Sequence, residues 1–301
     1  MGRLTAIVLG AAAGGGFPQW NCRCPVCSLA WAGDARVKPR TQASLAISAD
    51  GEAWILLNAT PDLRAQLLAT PRLQPRAGLR DSPIAGVILT GAEVDQVAGL
   101  LTLRERQGFT ILATADTLAA VEANPIFRVL AADLVRRQTV ALGTRFPLPG
   151  GLEAELFAVP GKVALYLEGE APELAAETGA NVGVEISDGL RRLVYVPGAA
   201  AVPPGLRERL GRADVILFDA TLFTDDEMIA SGTGEKTGRR MGHMPLDGAD
   251  GTLAALAGLG GRRILTHINN TNPILIEGSA QRRKAEGAGF EIAEDGMENV
   301  L

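Results

Sequence analysis

The segment Val215-Ile216-Leu217-Phe218 is four apolar residues in a row, and it stops at Asp219. A strand with one wet face alternates apolar and polar residues, so an unbroken run reads as a strand buried on both faces. Strands are expected at 5–10, 44–48, 54–58, 86–90 and 109–113. A second set is expected at 153–159, 164–168, 181–187, 192–196, 215–219, 264–267 and 290–293. Helices are expected between them at 93–106, 116–122, 204–210, 248–259 and 279–287. Another is expected at 61–68, where Thr60 is an acceptable N-cap and Pro61 takes the first helical position. Two strand-rich halves, each punctuated by helices, predict an α/β sandwich of two mixed sheets with helices outside, as one domain over 1–301. Composition alone does not separate this from a doubly wound sheet. There is no fixed-period repeat.

The 301 residues are 47 % hydrophobic and 21 % charged, ample for a large core. Net charge is −5, with Lys and Arg scattered, so nothing marks a nucleic-acid or anionic-membrane partner. No apolar run reaches the roughly 18 residues a membrane span needs. The apolar start, Leu4 to Leu9, is short and follows a single Arg3. It reads as a first strand entering a turn at Gly10 to Gly16 rather than a signal peptide. Its glycines have the wrong spacing for a dinucleotide loop. They are expected to bring backbone close to a site, and the chain is expected in the cytoplasm, where disulfides are rare.

All three cysteines fall in Cys22-Arg23-Cys24-Pro25-Val26-Cys27, the pattern C-x-C-x-x-C. Three thiols within six residues point to structural zinc, because Zn²⁺ favours thiolates and such a turn can offer all three to one tetrahedral ion. The alternative is free thiols or a redox pair. A thioredoxin-type motif, however, normally opens a helix after a strand and lacks a third cysteine.

Only two histidines occur, His243 and His267. His267 closes the strand at 264–267, Asp219 closes the run at 215–218, and Asp95 follows the strand at 86–90. Strand C-termini are where α/β folds assemble sites. A carboxylate closing an apolar run is costly to bury unless it is paired or metal-bound. Taken singly, each residue reads equally well as a helix cap or a surface group. Two histidines with one or two carboxylates are the ligand set of open non-haem iron sites, and zinc or manganese also suits them.

The segment from Gly86 to Leu100 resembles the metallo-β-lactamase superfamily motif His-x-His-x-Asp-His-x-x-Gly-Leu. Gly91 and Glu93 stand at the first two histidine positions, Asp95 at the aspartate and Gln96 at the last histidine, with Gly99-Leu100 preserved. Asp219 matches the bridging carboxylate, His267 the final ligand, and His243 a Gly-His motif of related phosphodiesterases. More closely, the chain resembles the B proteins of pyrroloquinoline quinone (PQQ) biosynthesis. The resemblance lies in 12–22, Arg40-Thr41-Gln42, Asn58-Ala59-Thr60-Pro61-Asp62, 100–105, 237–243 and 267–275, and it spans nearly the whole chain. It implies a metallo-β-lactamase-like αββα sandwich.

Two departures from that family stand out: Gln96 replaces a usual histidine, and Gly179-Ala180-Asn181 replaces Gly-His-Asn. They leave Asp95, Asp219, His243 and His267 as the expected catalytic and metal-binding set, with Glu93 and Gln96 as helpers. A related branch completes its tri-cysteine zinc site with a histidine where this chain has Asn270, a poorer ligand, so water or another residue is the alternative. The resemblance further implies a role in making PQQ from a cross-linked glutamate and tyrosine, through iron-dependent oxygenation of the tyrosine ring of a Glu-Tyr unit. Arg64 and Arg104 are candidates for binding substrate carboxylates. The first alternative is a carrier that moves PQQ or its precursor toward the periplasm. A metallo-hydrolase or phosphodiesterase ranks last, because Gly91, Glu93, Gln96 and Ala180 remove imidazoles it would want. Expected partners are a small quinone or dipeptide and other PQQ biosynthesis proteins. Homodimers are common for this fold, though no patch in the sequence marks one.

Overall fold

The computed structural model describes residues 4–170 and 173–301. The first half supplies strands β1 (Thr5–Gly10), β2 (Ser44–Ser48), β3 (Trp54–Leu57), β4 (Ile84–Ile88), β5 (Phe109–Ala113) and β6 (Val135–Thr139). The second half supplies β7 (Arg145–Pro147), β8 (Glu153–Ala158), β9 (Val182–Ser187), β10 (Arg192–Val196), β11 (Val215–Asp219), β12 (Arg262–Thr266), β13 (Phe290–Ile292) and β14 (Glu298–Val300). They form two seven-stranded sheets, ordered β14-β1-β2-β3-β4-β5-β6 and β13-β12-β11-β10-β9-β8-β7. Each sheet is mixed. In the first, the pairings from β14 to β3 are antiparallel and those from β3 to β6 parallel. The second repeats the scheme, antiparallel from β7 to β10 and parallel from β10 to β13. One buried cluster joins Leu45, Ile47, Leu57 and Ile88 of the first sheet to Leu156, Val184, Tyr195 and Leu217 of the second. The inner faces therefore share a core. Buried clusters on the outer faces take up Leu63, Leu118 and Val121 on one side and Leu206, Leu210 and Ala285 on the other. Those residues belong to α2 (Leu63–Ala69), α3 (Ala115–Ala123), α4 (Pro204–Leu210) and α5 (Ala280–Gly287).

Four expected elements take a different form, and of the helix expected at 248–259 only Thr252–Ala255 is helical. The residues expected as a strand at 164–168 form a 3-10 turn at Leu165–Leu167, because no neighbouring strand is there to pair with it. The helix expected at 93–106 is α-helical only over Val94–Val97 and continues as 3-10 helix over Ala98–Leu103. At Gly99 a Cβ would stand 2.1 Å from the Thr60 carbonyl, so the segment lies backbone-to-backbone on the β3–α2 connection. The cap expected at Thr60 moves to Asp62, and the helix begins at Leu63. No helix among the described residues is long and apolar enough to cross a membrane.

Candidate metal centres and their cavity

The parallel strands of both sheets end on one side of the molecule, and backbone bridges tie their loops together there. Ala12 pairs with Ile268 and Gly91 with Asn181. The Gly-rich turn after β1 runs across this side, and a Cβ on Gly14 would stand 3.5 Å from Asp95 Oδ2. Backbone does approach the site here. The same turn carries Cys22 and leads to α1 (Pro25–Trp31), which Cys24 caps and which contains Cys27.

Sγ atoms of Cys22, Cys24 and Cys27 lie within 4.8 Å of one another. Cys24 and Cys27 are buried and Cys22 partly so. Asn270 closes over them. Its Nδ2 lies 3.2 Å from Cys22 Sγ and 3.3 Å from Cys27 Sγ, and its carbonyl oxygen 3.6 Å from Cys24 Sγ. Burial pushes the Cys24 thiol up to about 12 and raises that of Cys27 as well. The buried thiols of Cys24 and Cys27 stay protonated unless a cation draws their protons off, which is the donor chemistry zinc satisfies. The cluster fits zinc; Asn270 faces it with its amide N–H and its main-chain carbonyl rather than with its side-chain oxygen.

A second set, Asp219, His243 and His267, also brings its ligand atoms within 4.8 Å of one another. Asp219 ends β11 and is fully buried. The backbone N–H groups of Ala199 and Thr221 donate to its two oxygens, each at 3.0 Å. His243 Nδ1 lies 2.6 Å from Asp219 Oδ2. His267 follows β12 at φ +56°, an uncommon left-handed setting for a non-glycine residue, and its Nε2 lies 3.1 Å from Asp95 Oδ2. The two imidazoles stack with centroids 5.2 Å apart. Burial opposes charge on His267, but hydrogen bonds and charge from Asp219 and Asp95 outweigh it and hold the imidazolium up to about 10. Burial likewise works against ionised Asp95 and Asp219, and the facing imidazoles reverse it in both, keeping these carboxyls below the usual range. Protons here balance a carboxylate pair, as a divalent cation would. The donor set fits iron or another divalent metal.

Thr221 is the residue that sequence reasoning passed over. Its Oγ1 donates to Asp219 Oδ1 at 2.6 Å and lies 2.9 Å from His267 Nδ1 and 3.1 Å from His243 Nδ1. One hydroxyl thus touches all three ligand side chains. Its place two residues beyond Asp219, the span of a strand-end turn, was the available signal.

Glu93 and Gln96 are occupied elsewhere. They form the capping box of the short helix, with Gln96 Oε1 accepting from Glu93 N at 3.1 Å and Gln96 Nε2 donating to Thr90 at 3.3 Å. Glu93 also pairs with Lys162 at 3.0 Å. At Gly91 a Cβ would stand 2.5 Å from Gln96 Oε1 and 3.0 Å from the Ala180 carbonyl, so no side chain fits where related proteins place a ligand.

The second set opens into a cavity of about 580 Å³. Asp95, His243, His267 and Thr221 line its floor, and Leu165 and Tyr166 of the 3-10 turn line its side. Tyr166 holds the turn in place by donating to the Ala92 carbonyl at 2.9 Å. Arg64 and Arg104 do not line this cavity; both are exposed, and Arg104 leans on the Leu101 carbonyl and Glu105. The cations that do line it are Lys162 and Lys236.

Comparison with known proteins agrees with this architecture. The beta-lactamase superfamily domain matches residues 53–268. Coenzyme PQQ synthesis protein B of Methylobacterium nodulans is 58 % identical over 98 % of this chain and 99 % of its own. The Zn(2+)-bound PqqB from Methylobacterium extorquens superposes with a TM-score of 0.97 at 54 % identity, covering 99 % of this chain and 100 % of the other. A diphosphatase of the PhnP family shares the fold at a TM-score of 0.70 and 20 % identity, over 99 % of this chain and 97 % of its own. With two mixed sheets, a strand-end ligand cluster and such identity over nearly its full length, the chain belongs to the coenzyme PQQ synthesis protein B family of the metallo-β-lactamase fold.

Proposed function

We propose that the protein serves PQQ synthesis as a metal-dependent oxygenase acting on the tyrosine ring of a Glu-Tyr precursor. The observation that carries this reading is the Asp219, His243 and His267 cluster at the floor of a cavity large enough for a dipeptide. Two imidazoles and one carboxylate hold iron while leaving positions open, and iron so held supplies activation of O₂. Asp219 fixes His243 through Nδ1, leaving that ring's other nitrogen unpaired. Asp95 pairs with His267 Nε2 at 3.1 Å and lines the cavity. Leu165 and Tyr166 of the 3-10 turn and Gly14 and Gly15 of the Gly-rich loop line the walls of the cavity. A cysteine-bound zinc would serve stability alone. We further propose that the protein works in the cytoplasm, as one folded unit, beside the other PQQ synthesis proteins.

A carrier that binds PQQ or its precursor without turnover is the second reading. It is favoured by the filled space at Gly91 and the capped Gln96, which leave the superfamily ligand set incomplete. Incubating the iron-loaded protein with Glu-Tyr and O₂ separates the two. A product heavier by added oxygen supports oxygenation. Stoichiometric binding with the dipeptide recovered unchanged supports the carrier.

A further inference from the structure

Two polar groups of the cavity are left without partners by the fold. The chain has four lysines. Lys38 pairs with Glu294 and Glu277, Lys284 with Asp247, and Lys162 with Glu93 and Glu168. Lys236 makes no ion pair or hydrogen bond among the described residues, and it lines the cavity. The neighbouring arginines are already neutralised, Arg239 by Asp250 and Arg240 by Glu168. One unspent cation therefore faces a space whose other wall residues include apolar Leu165, Met228 and Met241.

Asn269 is the second group. It lies two residues beyond His267, lines the cavity and is only 9 % exposed. Its Nδ2 donates to Thr271 Oγ1 at 2.6 Å, and Thr271 in turn donates to the buried carboxylate of Glu227 at 2.5 Å. Glu227 is held from its other oxygen by Phe223 N at 2.7 Å. At pH 8 Glu227, which burial pushes up to about 7, is mostly ionised, and the chain then fixes the direction of the amide: the carboxylate accepts, the Thr271 hydroxyl donates to it, and Asn269 donates to the hydroxyl. The carbonyl end, Oδ1, has no partner and is left for the cavity. The residue is nine-tenths buried, and an acceptor left open to the cavity beside the ligand cluster takes an O–H or N–H donor from whatever enters.

We propose that Asn269 and Lys236 are specificity-determining residues, reading an aromatic acid by its two ends: a ring hydroxyl on Asn269 Oδ1 near the ligand cluster, and a carboxylate on Lys236. The proposal rests on the substrate reading above and names the contacts that would enforce it. Glu227 and Thr271 are positioning residues behind Asn269.

The test is calorimetric binding at pH 8 to the protein as purified, without O₂ so that nothing turns over. The probes are Glu-Tyr, Glu-Phe lacking the ring hydroxyl, and Gln-Tyr-amide lacking both carboxylates. Wild type should bind Glu-Tyr about tenfold more tightly than either analogue, the worth of one hydrogen bond or exposed ion pair. Lys236→Met should erase the preference over Gln-Tyr-amide while keeping the preference over Glu-Phe, and Lys236→Arg should restore it. Asn269→Ala should do the reverse, erasing discrimination against Glu-Phe alone. Lys236 is exposed, so its variants fold even if the Asn269 variant does not. If wild type binds Glu-Tyr but the variants discriminate as it does, this proposal falls and the substrate reading survives. If wild type binds none of the probes, both fall.

Discussion

Replacing Thr221 by valine keeps the shape of the side chain and removes one hydroxyl from the centre of the ligand cluster. That hydroxyl donates to Asp219 Oδ1 at 2.6 Å and receives the approach of His267 Nδ1 at 2.9 Å. A hydrogen bond to a buried carboxylate contributes about 1.5–3 kcal/mol, and the valine offers nothing in its place. Asp219 keeps its backbone donors, Ala199 N and Thr221 N, so the carboxylate stays in position while its orientation loosens. In the metal-free protein the expected loss is about 2 kcal/mol, a fall in Tm of roughly 3 °C for a chain of this size. Groups that orient metal ligands typically carry roughly 10- to 100-fold of metal affinity, and Thr221→Val should weaken binding at the Asp219 site by that factor. Thr221→Ser should recover most of it. The assay is competition for iron(II) or zinc against a chelator, paired with thermal denaturation in the chelator alone. Unchanged metal affinity in Thr221→Val would refute the assignment of this hydroxyl as the group that orients all three ligands.

Other expected outcomes follow from the same geometry. Cys24→Ser should abolish zinc retention and lower Tm, with the metal at the Asp219 site still exchangeable; elemental analysis and a melting curve read both. Burial pushes Glu227 up to about 7 from an ordinary carboxyl value of 4.5. Because the unfolded chain gives up that proton more readily, stability is lost as pH rises from about 4.5 to 7 and stays lost above. Glu227→Gln removes this dependence, so its stability relative to wild type should improve by about 3 kcal/mol between pH 4.5 and pH 8 in denaturant titrations. Arg64→Ala and Arg104→Ala should leave Glu-Tyr affinity within twofold, since neither side chain reaches the cavity.

The parts of the fold legible in the sequence are those where burial alone decides. The apolar run at 215–218 and the strands at 5–10, 44–48, 109–113 and 192–196 sit where they were expected, because central strands cannot tolerate polar faces. The missed strands are edges or near-edges. Val135–Thr139 carries Arg136, Arg137 and Gln138, and Arg145–Pro147 alternates around Phe146 with a proline, patterns that read as loop. The wall at Leu165–Leu167 misleads in the opposite sense, since its apolar residues line a cavity rather than a sheet.

Asp219, His243 and His267 were legible as candidates because only two histidines exist: Asp219 and His267 stand at strand ends, and His243 was marked by its resemblance to a Gly-His motif. Asn269 and Lys236 were not, and Thr221 showed only its spacing from Asp219. An amide and a lysine have no spacing signature, and the roles of all three arise only once loops distant in sequence meet. Gln96 shows the same limit, since nothing in its position reveals that its amide is spent on Glu93 and Thr90.

The most direct test of the account is metal content of the protein purified without added metal, compared with His267→Ala. Two metals per chain, zinc on the cysteines and a second, iron above all, that vanishes with His267, are the predicted result. About one zinc per chain, unchanged by the substitution, would contradict a metal site at Asp219, His243 and His267 and leave only the cysteine cluster filled.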